Sequence, residues 1–294
     1  CIHCGKCHKA CPALHPLRPH PVPACYAAMG EDSLRAQSSS GGLFTLLAES
    51  ILSQGGFVCG AVWEPGWQVR HIVTNRPEDL VDIRLSKYLQ SEMGNTFSQV
   101  KTLLEQGRPV LFTGCPCQVA GLYGFLGKSY DRLLTMDIVC HGVPSPGLFP
   151  VYLQERAGGK KVTGVNFREK TRYGWSTPIT ITFEDGSVYR NDCYQDAWYQ
   201  GFLKGVLTRD CCAKCPYAQI RRVSDLTGGD FWGVDQFDPH LNDRKGTSLI
   251  LANTARGEEA LRAIQHRWKQ FQAVPVETVT EIAKKRNGQL LSPM

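Results

Sequence analysis

The stretch PVLFTGCPCQVAGLYGFLG, residues 109–127, indicates the fold more clearly than any other part of the chain. Residues 109–114 are a short apolar run typical of a buried strand. A proline at the start of the next segment favours a helix there. The run LLTMDIVCHG at 133–142 is again strand-like, and PGLFPVYLQERAG after it predicts another helix. Strands and helices that alternate in this way predict α/β layers around a largely parallel sheet.

The rest of the chain adds further elements to this plan. In the first half, helices are predicted within 38–56 and at 77–85 and 97–107, with strands at 57–63 and 69–74. In the second half, 162–169 and 177–191 predict antiparallel strands with Asp185-Gly186 as a hairpin turn. A helix is predicted at 194–206, strands at 224–233 and 247–254, and a last helix at 256–270. The predicted fold class is therefore α/β, with a mixed sheet and helices on its faces.

The composition argues against two classes of protein. The 294 residues carry a net charge of +6 and a mean hydropathy of −0.24. No apolar run approaches the roughly 20 residues that cross a membrane. Basic pairs such as Lys160-Lys161 are too short to form a nucleic-acid surface. We therefore expect neither a membrane span nor a nucleic-acid partner.

The cysteines carry the most specific signal. The chain has 13 of them, and the first four stand in CIHCGKCHKACP at Cys1, Cys4, Cys7 and Cys11. The spacing CxxCxxCxxxCP is typical of ferredoxin-type 4Fe–4S sites, in which the fourth cysteine ligates the other cluster when two are present. A zinc knuckle is the alternative. The run predicts a small N-terminal ferredoxin-like iron–sulfur fragment.

A second group of cysteines is predicted in the body of the chain. Cys117 and Cys140 each follow a predicted strand, while Cys212 and Cys215 form a CxxC before a proline. Four thiols gathered from such positions match the need of a second 4Fe–4S cluster. A redox disulfide at the lone CxxC is the alternative, although the helix-start context of thioredoxin is absent. Clustered thiols of this kind favour a reducing compartment, and we expect a cytoplasmic protein.

The stretch SSSGG at 38–42 precedes a predicted helix. Small residues in this position most often only cap the helix. They also leave the helix N-terminus open to a phosphate or a ribityl chain. Neither GxGxxG nor GxxxxGK[ST] occurs, so a Rossmann fingerprint and a P-loop are not supported.

Taken together, the motifs resemble one family. CIHCGKCHKACP, SSSGG, SKYLQS, TGCPCQVAGL, DIVCHGVPSP, FREKTRYGW, CCAKCPY and SDLTGGDFWG occur in the order seen in the coenzyme F-420 hydrogenase/dehydrogenase beta-subunit family. The resemblance spans essentially the whole chain. It implies a noncovalent FAD beside a 4Fe–4S cluster, and it matches the core ligands to Cys117, Cys140, Cys212 and Cys215. Cys115 stands where many relatives have threonine, and Cys211 adds a thiol, so either could be a ligand instead.

The resemblance also implies a site for the flavin. We expect FAD to contact Ser39, Ser40, Gly41, Gly42, Lys87, Ser91, Thr113, Gly114 and Gln118. Candidate catalytic groups around the ring or substrate are His141, Lys170, Trp175 and Asp230. Both lysines could instead be surface charges. Asp230 could cap a turn, and Trp175 could be core packing.

Three parts of the chain follow from this interpretation. Residues 1–24 would be the ferredoxin-like fragment with a proline-rich strap, 25–158 the N-terminal α/β part of a flavin-binding body, and 159–294 the part completing the FAD and cluster site. Relatives often carry two ferredoxin motifs in tandem. We expect the run at Cys1–Cys11 to be the second motif, and the first motif, which would precede Cys1, to be missing from this sequence.

The expected function is an oxidoreductase that moves electrons between a small-molecule hydride donor or acceptor, such as coenzyme F-420, and ferredoxin-type clusters. A ferredoxin or another redox subunit would be its partner. Two alternatives stay open at this stage. One is an electron-relay subunit without its own substrate, and the other is a zinc-dependent structural or binding module.

Overall fold

A nine-stranded mixed sheet forms the centre of the computed structural model, which describes residues 3–172 and 174–285. The strand order is β12-β1-β11-β10-β6-β5-β2-β3-β4. The strands are β1 (Ala24–Met29), β2 (Phe57–Glu64), β3 (Gln68–Thr74), β4 (Ser91–Glu92), β5 (Val110–Gly114), β6 (Leu133–Ile138), β10 (Leu226–Asp230), β11 (Ser248–Ala252) and β12 (Gln270–Val274). The first and second halves of the chain therefore both contribute strands to one sheet.

The four central strands run parallel. β10 pairs with β6, β6 with β5, and β5 with β2, all in the same direction, while the flanking pairs β10–β11, β11–β1, β1–β12 and β2–β3 are antiparallel. In open α/β sheets, ligands bind outside the carboxyl ends of the parallel strands. The chain after Gly114, Ile138 and Asp230 occupies that edge here.

Helices cover both faces of the sheet. They are α1 (Lys6–Ala10), α2 (Asp32–Ala36), α3 (Leu43–Ser53), α4 (Leu80–Ile83), α5 (Thr96–Glu105), α6 (Pro116–Leu126), α7 (Leu148–Ala157), α8 (Ala197–Leu203), α9 (Asp210–Ala213), α10 (Ala255–Ala263) and α11 (Val276–Lys285). α3 packs its apolar side chains, among them Leu46 and Leu47, against one face. α5 and α6 bury Val100, Val119 and Leu122 against the other. The α/β class predicted from the sequence is confirmed.

A smaller antiparallel sheet holds β7 (Val162–Asn166), β8 (Ile179–Phe183) and β9 (Val188–Asn191). It packs with α7 and α8 through a core rich in aromatic side chains, including Phe149, Phe167 and Trp198. Gly186 has a φ of +77°, as the predicted hairpin turn at Asp185-Gly186 requires. Phe167 ends the segment that leads from β7 to Arg168, so this small core fixes the position of that arginine.

The N-terminal segment lies against α6. A Cβ on Gly124 would stand 2.3 Å from the backbone oxygen of Ala10, so only glycine permits this approach. The Tyr217 hydroxyl donates to the Pro12 carbonyl at 2.9 Å and accepts from the Leu17 amide at 3.3 Å. These contacts hold the cysteine-containing segment beside the 211–217 loop.

Several boundaries differ from the sequence predictions. The helix predicted over 256–270 ends at Ala263, and Gln270–Val274 is strand β12 instead. β12 is an edge strand of the sheet and pairs with β1, and the sequence of β12 alone does not reveal this pairing. Strand β1 and helix α11 were not predicted, and the helix predicted at 194–206 is confined to Ala197–Leu203. Within the described ranges, no helix is long and apolar enough to cross a membrane. The three-part division of the chain stays a prediction.

Candidate functional site

Three cysteines lie at the carboxyl ends of β5 and β6. Cys115 precedes α6 directly and caps it, while Cys117 lies in its first turn. Cys140 follows β6, and its Sγ is 3.8 Å from the Sγ of Cys115. The Gly142 N–H points at the Cys140 Sγ at 3.4 Å. The pKa of Cys140 is lowered by its neighbour Cys115 and by this N–H, so of the two thiols Cys140 more readily becomes a thiolate.

The 211–215 segment, which begins in helix α9, brings two more thiols to the same place. The backbone of Arg209 donates to the Val143 carbonyl at 3.0 Å, which ties the start of this loop to the segment after Cys140. The pKa of Cys117 is raised to about 12, first by desolvation and then by Cys140, Cys215 and Cys212. Cys117 is also exposed to solvent. The useful information in its pKa is that the other three thiols lie close enough to raise it. The four predicted core ligands therefore lie within electrostatic range of one another.

The donor set has the chemistry of an iron–sulfur site. Four thiols on two strand ends and one loop suit a cluster that binds deprotonated cysteines. No group of three or more His, Cys, Asp or Glu side chains within residues 3–172 and 174–285 is already assembled at metal-ligand spacing. The thiols thus fit a cluster by type and neighbourhood, and both Cys115 and Cys117 are available at the end of β5.

The N-terminal cysteines form a separate group. Cys4 and Cys7 are exposed and Cys11 is half-buried, all on or beside α1. Cys1 lies outside the described residues. Cys11 interacts electrostatically with Tyr217, as do Cys117 and Cys215. Tyr217 thus lies between the N-terminal segment and the core thiols.

The serine hydroxyls before α3 are engaged by the protein. Ser39 Oγ lies 3.0 Å from Ser86 Oγ, and Ser40 Oγ donates to the Thr247 carbonyl at 2.7 Å. Both serines remain half-buried. They tie the segment before α3 to the 86–87 segment on one side and to the entrance of β11 on the other.

The two glycines are required by packing. A Cβ on Gly41 would stand 2.2 Å from the Ala28 carbonyl oxygen, and the Gly41 N–H donates to Ser248 Oγ at 2.9 Å. Gly42 has a φ of +108° and would place a Cβ 2.7 Å from Leu34. No side chain caps α3. The first-turn N–H groups of α3, rather than the glycines themselves, are therefore the part of this stretch with the chemistry to accept an anion.

Arg168 is the site residue that the sequence reasoning missed. It is 2% exposed and makes a bidentate ion pair with Asp230 at 2.6 and 2.8 Å. Its guanidinium also donates to the Ser39 carbonyl at 2.7 Å. Trp175 Nε1 donates to Asp230 at 2.7 Å, and its ring stacks on Trp232 at 4.4 Å. Both Asp230 oxygens are thus occupied by protein donors. The quoted FREK motif contained this arginine, but nothing in the local pattern distinguished it from a surface charge.

The two candidate lysines both turn inward. Lys170 Nζ donates to the carbonyls of Arg35 at 2.8 Å, Lys245 at 2.8 Å and Ser40 at 3.3 Å. Burial and the neighbouring Arg168 lower the pKa of Lys170 to about 7. Lys87 Nζ donates to the Arg84 carbonyl at 2.9 Å. Burial lowers the pKa of Lys87 to about 8. Neither lysine is a freely solvated surface charge.

The remaining predicted contacts cluster around the end of β5. Gln118 Nε2 donates to Ser91 Oγ at 2.8 Å, and Gln118 Oε1 accepts from the Cys115 amide at 2.8 Å. Thr113 Oγ1 donates to the Cys59 carbonyl at 2.8 Å. A Cβ on Gly114 would stand 2.9 Å from the Gln118 side chain. Gln118 therefore links the predicted flavin-binding set to the cysteines.

An exposed apolar side chain lies at the end of strand β6. Ile138 ends the central strand β6 and is 42% exposed, although Leu134 and Met136 are 6% exposed. Side chains alternate across a strand, so Ile138 points to the same face as Met136, the face covered by α3. Thr113 lies on this face by the same rule.

His141 contacts the Leu203 carbonyl through Nε2 at 3.2 Å, and burial lowers the pKa of His141. Thr113, Ile138 and His141 thus lie at or just beyond the carboxyl ends of β5 and β6.

Comparison with known proteins adds an independent finding. Residues 24–97 match the family described as coenzyme F420 hydrogenase/dehydrogenase, beta subunit N-terminus, and residues 107–277 match the corresponding C-terminus. A solved structure of the xenon-derivatized F420-reducing NiFe hydrogenase complex from Methanosarcina barkeri is similar in fold, with a TM-score of 0.59 and 17% identity. The alignment covers 93% of this chain and 91% of that one. A search of curated proteins found no match.

The fold and the matched residues define an oxidoreductase-type α/β protein. The chain belongs to the coenzyme F420 hydrogenase/dehydrogenase beta-subunit family. The family resemblance recognised in the sequence is confirmed.

Proposed function

We propose that this chain is an FAD- and 4Fe–4S-dependent redox subunit that exchanges electrons between a small-molecule hydride carrier and one-electron partners. The carrier is coenzyme F420 or a related reducible molecule. A bound flavin supplies the exchange between hydride and single electrons, and a bound cluster carries the single electrons.

One observation carries this proposal. The core thiols Cys117 and Cys140 and the exposed Ile138 lie at the carboxyl ends of β5 and β6, and the Ser39–Gly42 segment bonds to Ser248, which pairs with the end of β10 on the same sheet. An apolar side chain left open at the end of a central strand suits the face of a planar, largely apolar ring. Ile138, against which the ring would lie, and Cys140, which would bind the cluster, are two residues apart along the chain. Close spacing of this kind is what electron exchange between two cofactors requires.

The residues around this edge have defined tasks in the proposal. The first turn of α3 and the inward-facing Lys87 offer positive potential to the phosphates of a dinucleotide. Lys170 ties the Arg35, Ser40 and Lys245 carbonyls together beside that turn. Arg168 holds the Ser39 carbonyl and Asp230 in one arrangement, so it acts as a positioning residue. Gln118 fixes the turn that presents Cys115 and Cys117. These groups bind and orient, while the cofactors supply the redox chemistry.

The N-terminal segment serves as the electron port in this account. α1 packs on α6, whose first turn carries Cys117, and Tyr217 bonds to Pro12 beside Cys215. Residues 3–30 contain no acidic residue, whereas Lys6, Lys9 and Arg18 are exposed. A basic surface around exposed cysteines suits an acidic ferredoxin or another redox subunit as the partner. We place the protein in the cytoplasm, where cysteines stay reduced.

Anaerobic mixing with reduced coenzyme F420 tests the proposal. We expect the visible flavin absorbance to bleach and the 4Fe–4S absorbance to fall after it. A Cys140→Ser variant should bleach its flavin without the second change. Flavin that stays oxidised with F420 and with nicotinamide donors would favour a relay subunit without a substrate. Zinc in place of iron, with no flavin colour, would favour a structural module.

A further inference from the structure

Cys115 and Cys140 are close enough to form a bond that the proposed function does not use. Their Sγ atoms are 3.8 Å apart, and both side chains are half-buried. In the proposed cluster Cys117 and Cys140 are ligands, so Cys115 is a neighbour without a bond to iron. A disulfide bond is about 2.05 Å long, so side-chain rotation has to bring the two sulfurs closer by less than about 2 Å. The pair therefore has the spacing of a site for reversible covalent modification.

The backbone around Cys115 is held in place. Its amide donates to Gln118 Oε1 at 2.8 Å, and its carbonyl accepts from the Gln118 amide at 2.9 Å. Two residues earlier, the Thr113 carbonyl lies 3.0 Å from His71 Nε2. These contacts fix the turn between β5 and α6, so the Cys115 sulfur has a defined position opposite Cys140.

The segment around Cys140 is held as well. The Val139 amide donates to the Gly228 carbonyl at 3.0 Å, which continues the pairing of β6 with β10. The Gly142 N–H points at the Cys140 Sγ at 3.4 Å, and such a donor favours a thiolate. Two reacting groups that are held side by side react in an intramolecular step. Cys140 is therefore the nucleophile of the pair, and Cys115 supplies the second sulfur.

We propose that Cys115 and Cys140 form a reversible disulfide whenever Cys140 is not bound to a cluster. The oxidant is hydrogen peroxide, which is small enough to reach a half-buried sulfur. The Cys140 thiolate attacks one peroxide oxygen, so that an S–O bond forms, the O–O bond breaks and hydroxide leaves as water after protonation. The Cys115 thiol then attacks the Cys140 sulfur, so that the S–S bond forms and the S–O bond breaks with release of a second water. Two thiols thus lose two electrons, and one peroxide becomes two waters.

The disulfide protects Cys140 and controls when a cluster can bind. Further oxidation of a lone cysteine leads to a sulfinic acid, which is irreversible for most proteins, whereas a disulfide is restored by thiols. The disulfide and the cluster exclude each other, because the cluster needs the Cys140 thiolate. This consequence rests on the proposed 4Fe–4S site, while the disulfide itself does not.

Peptide mapping of the complete chain tests the proposal. The chain is purified anaerobically, freed of iron with a chelator, treated with hydrogen peroxide and alkylated at its remaining thiols. Cys140 is the only cysteine between Arg132 and Arg156, whereas Cys115 and Cys117 share one tryptic peptide. We expect mass spectrometry to find these two peptides cross-linked, and dithiothreitol to separate them.

Two matched variants assign the sulfur. Cys117→Ser should retain the cross-link, whereas Cys115→Ser should lose it and accumulate sulfinic acid at Cys140. After peroxide and then dithiothreitol, wild type should rebind iron and sulfide at the core site, and Cys115→Ser should not. If Cys115→Ser does not fold, fragmentation of the wild-type cross-link assigns the sulfur directly.

The outcomes separate this inference from the proposed function. A cross-link that persists in Cys115→Ser, or a disulfide between Cys212 and Cys215 in its place, would overturn the inference. Equal amounts of sulfinic acid at Cys140 in wild type and Cys115→Ser would overturn it too. A chain that is purified without iron and still forms the Cys115–Cys140 disulfide would support the inference and contradict only the proposed cluster.

Discussion

The Sγ atoms of Cys115 and Cys140 lie 3.8 Å apart at the ends of two adjacent parallel strands. Sheet pairing brings them together, since Gly114 lies opposite Asp137 in the register of β5 and β6. The pairing also places Cys117, one residue into the helix that follows, at the same edge. Cys140, after β6, and one of the two cysteines after β5 would be ligands of the proposed cluster. The other cysteine after β5 would then be a neighbour of the cluster and not a ligand.

The first prediction concerns which of these thiols is a ligand. We expect Cys140→Ser to lose the core cluster, because a serine oxygen replaces a thiolate that the site needs. Cys115→Ser should retain it, since its Sγ is a neighbour of Cys140 and serine still caps α6. Iron and acid-labile sulfide in the two purified variants measure the difference. Loss of the core cluster in Cys115→Ser with retention in Cys117→Ser would transfer the ligand role to Cys115.

The second prediction concerns the buried ion pair of Arg168 and Asp230. Arg168→Gln leaves a carboxylate that is only 14% exposed without its bidentate partner and should lower the free energy of unfolding by about 3 kcal/mol. Arg76→Gln is the control, because Arg76 is 65% exposed in its pair with Glu78 and its loss should change the free energy of unfolding far less. Urea denaturation measures both. Equal costs for the two variants would contradict the role given to Arg168 as an anchor of the Ser39 segment.

The third prediction concerns pH. His71 is 5% exposed, its Nδ1 has no partner among the described residues, and burial lowers its pKa to about 4. The folded state thus binds a proton less readily than the unfolded state, so the stability contributed by neutral His71 is present above about pH 6.5 and is lost as the pH falls toward 4. Between pH 7 and 5, wild type should lose about 2 kcal/mol more than His71→Gln.

The matched control for this prediction is His240→Gln, because His240 is exposed. It should show the same pH dependence as wild type. Denaturant melts of the three proteins at the two pH values provide the comparison. A wild type and a His71→Gln variant that lose equal stability on acidification would mean that His71 is protonated in the fold.

The fourth prediction concerns the basic face of the N-terminal segment. The double variant Lys6→Glu and Lys9→Glu reverses two exposed charges and should slow electron exchange with an acidic ferredoxin about tenfold at low salt. The difference should shrink as salt screens the charges. Lys101→Glu, on the exposed side of α5, is the control. If the stopped-flow rate of electron exchange changes neither with salt nor with the Lys6 and Lys9 substitutions, docking on this face is excluded.

Much of the fold could be predicted because its central elements are locally encoded. The apolar run at 110–114, the proline at 116 and the glycine at 127 determine strand β5, helix α6 and its end with little help from elsewhere. β1 and β12 could not be predicted, because they are strands only through pairing with each other and with β11. The same holds for the break in the helix predicted over 256–270.

The site divides in a similar way. Cys140, Cys212 and Cys215 could be selected because clustered thiols next to turn residues have a specific chemical meaning. Arg168 could not, because its importance comes from burial, and charged residues in a sequence are normally taken as exposed. The glycines before α3 illustrate the opposite case. Their pattern suggested ligand approach, whereas Gly41 is required by the Ala28 carbonyl and Gly42 by its positive φ.

Cofactor analysis of the anaerobically purified chain tests the central claim most directly. Flavin released from the protein and iron with acid-labile sulfide are measured on the same sample. We expect FAD at about one per chain and at least about four irons per chain, with Cys140→Ser reducing the iron and sparing the flavin. Zinc with no flavin and no labile sulfide would contradict the account.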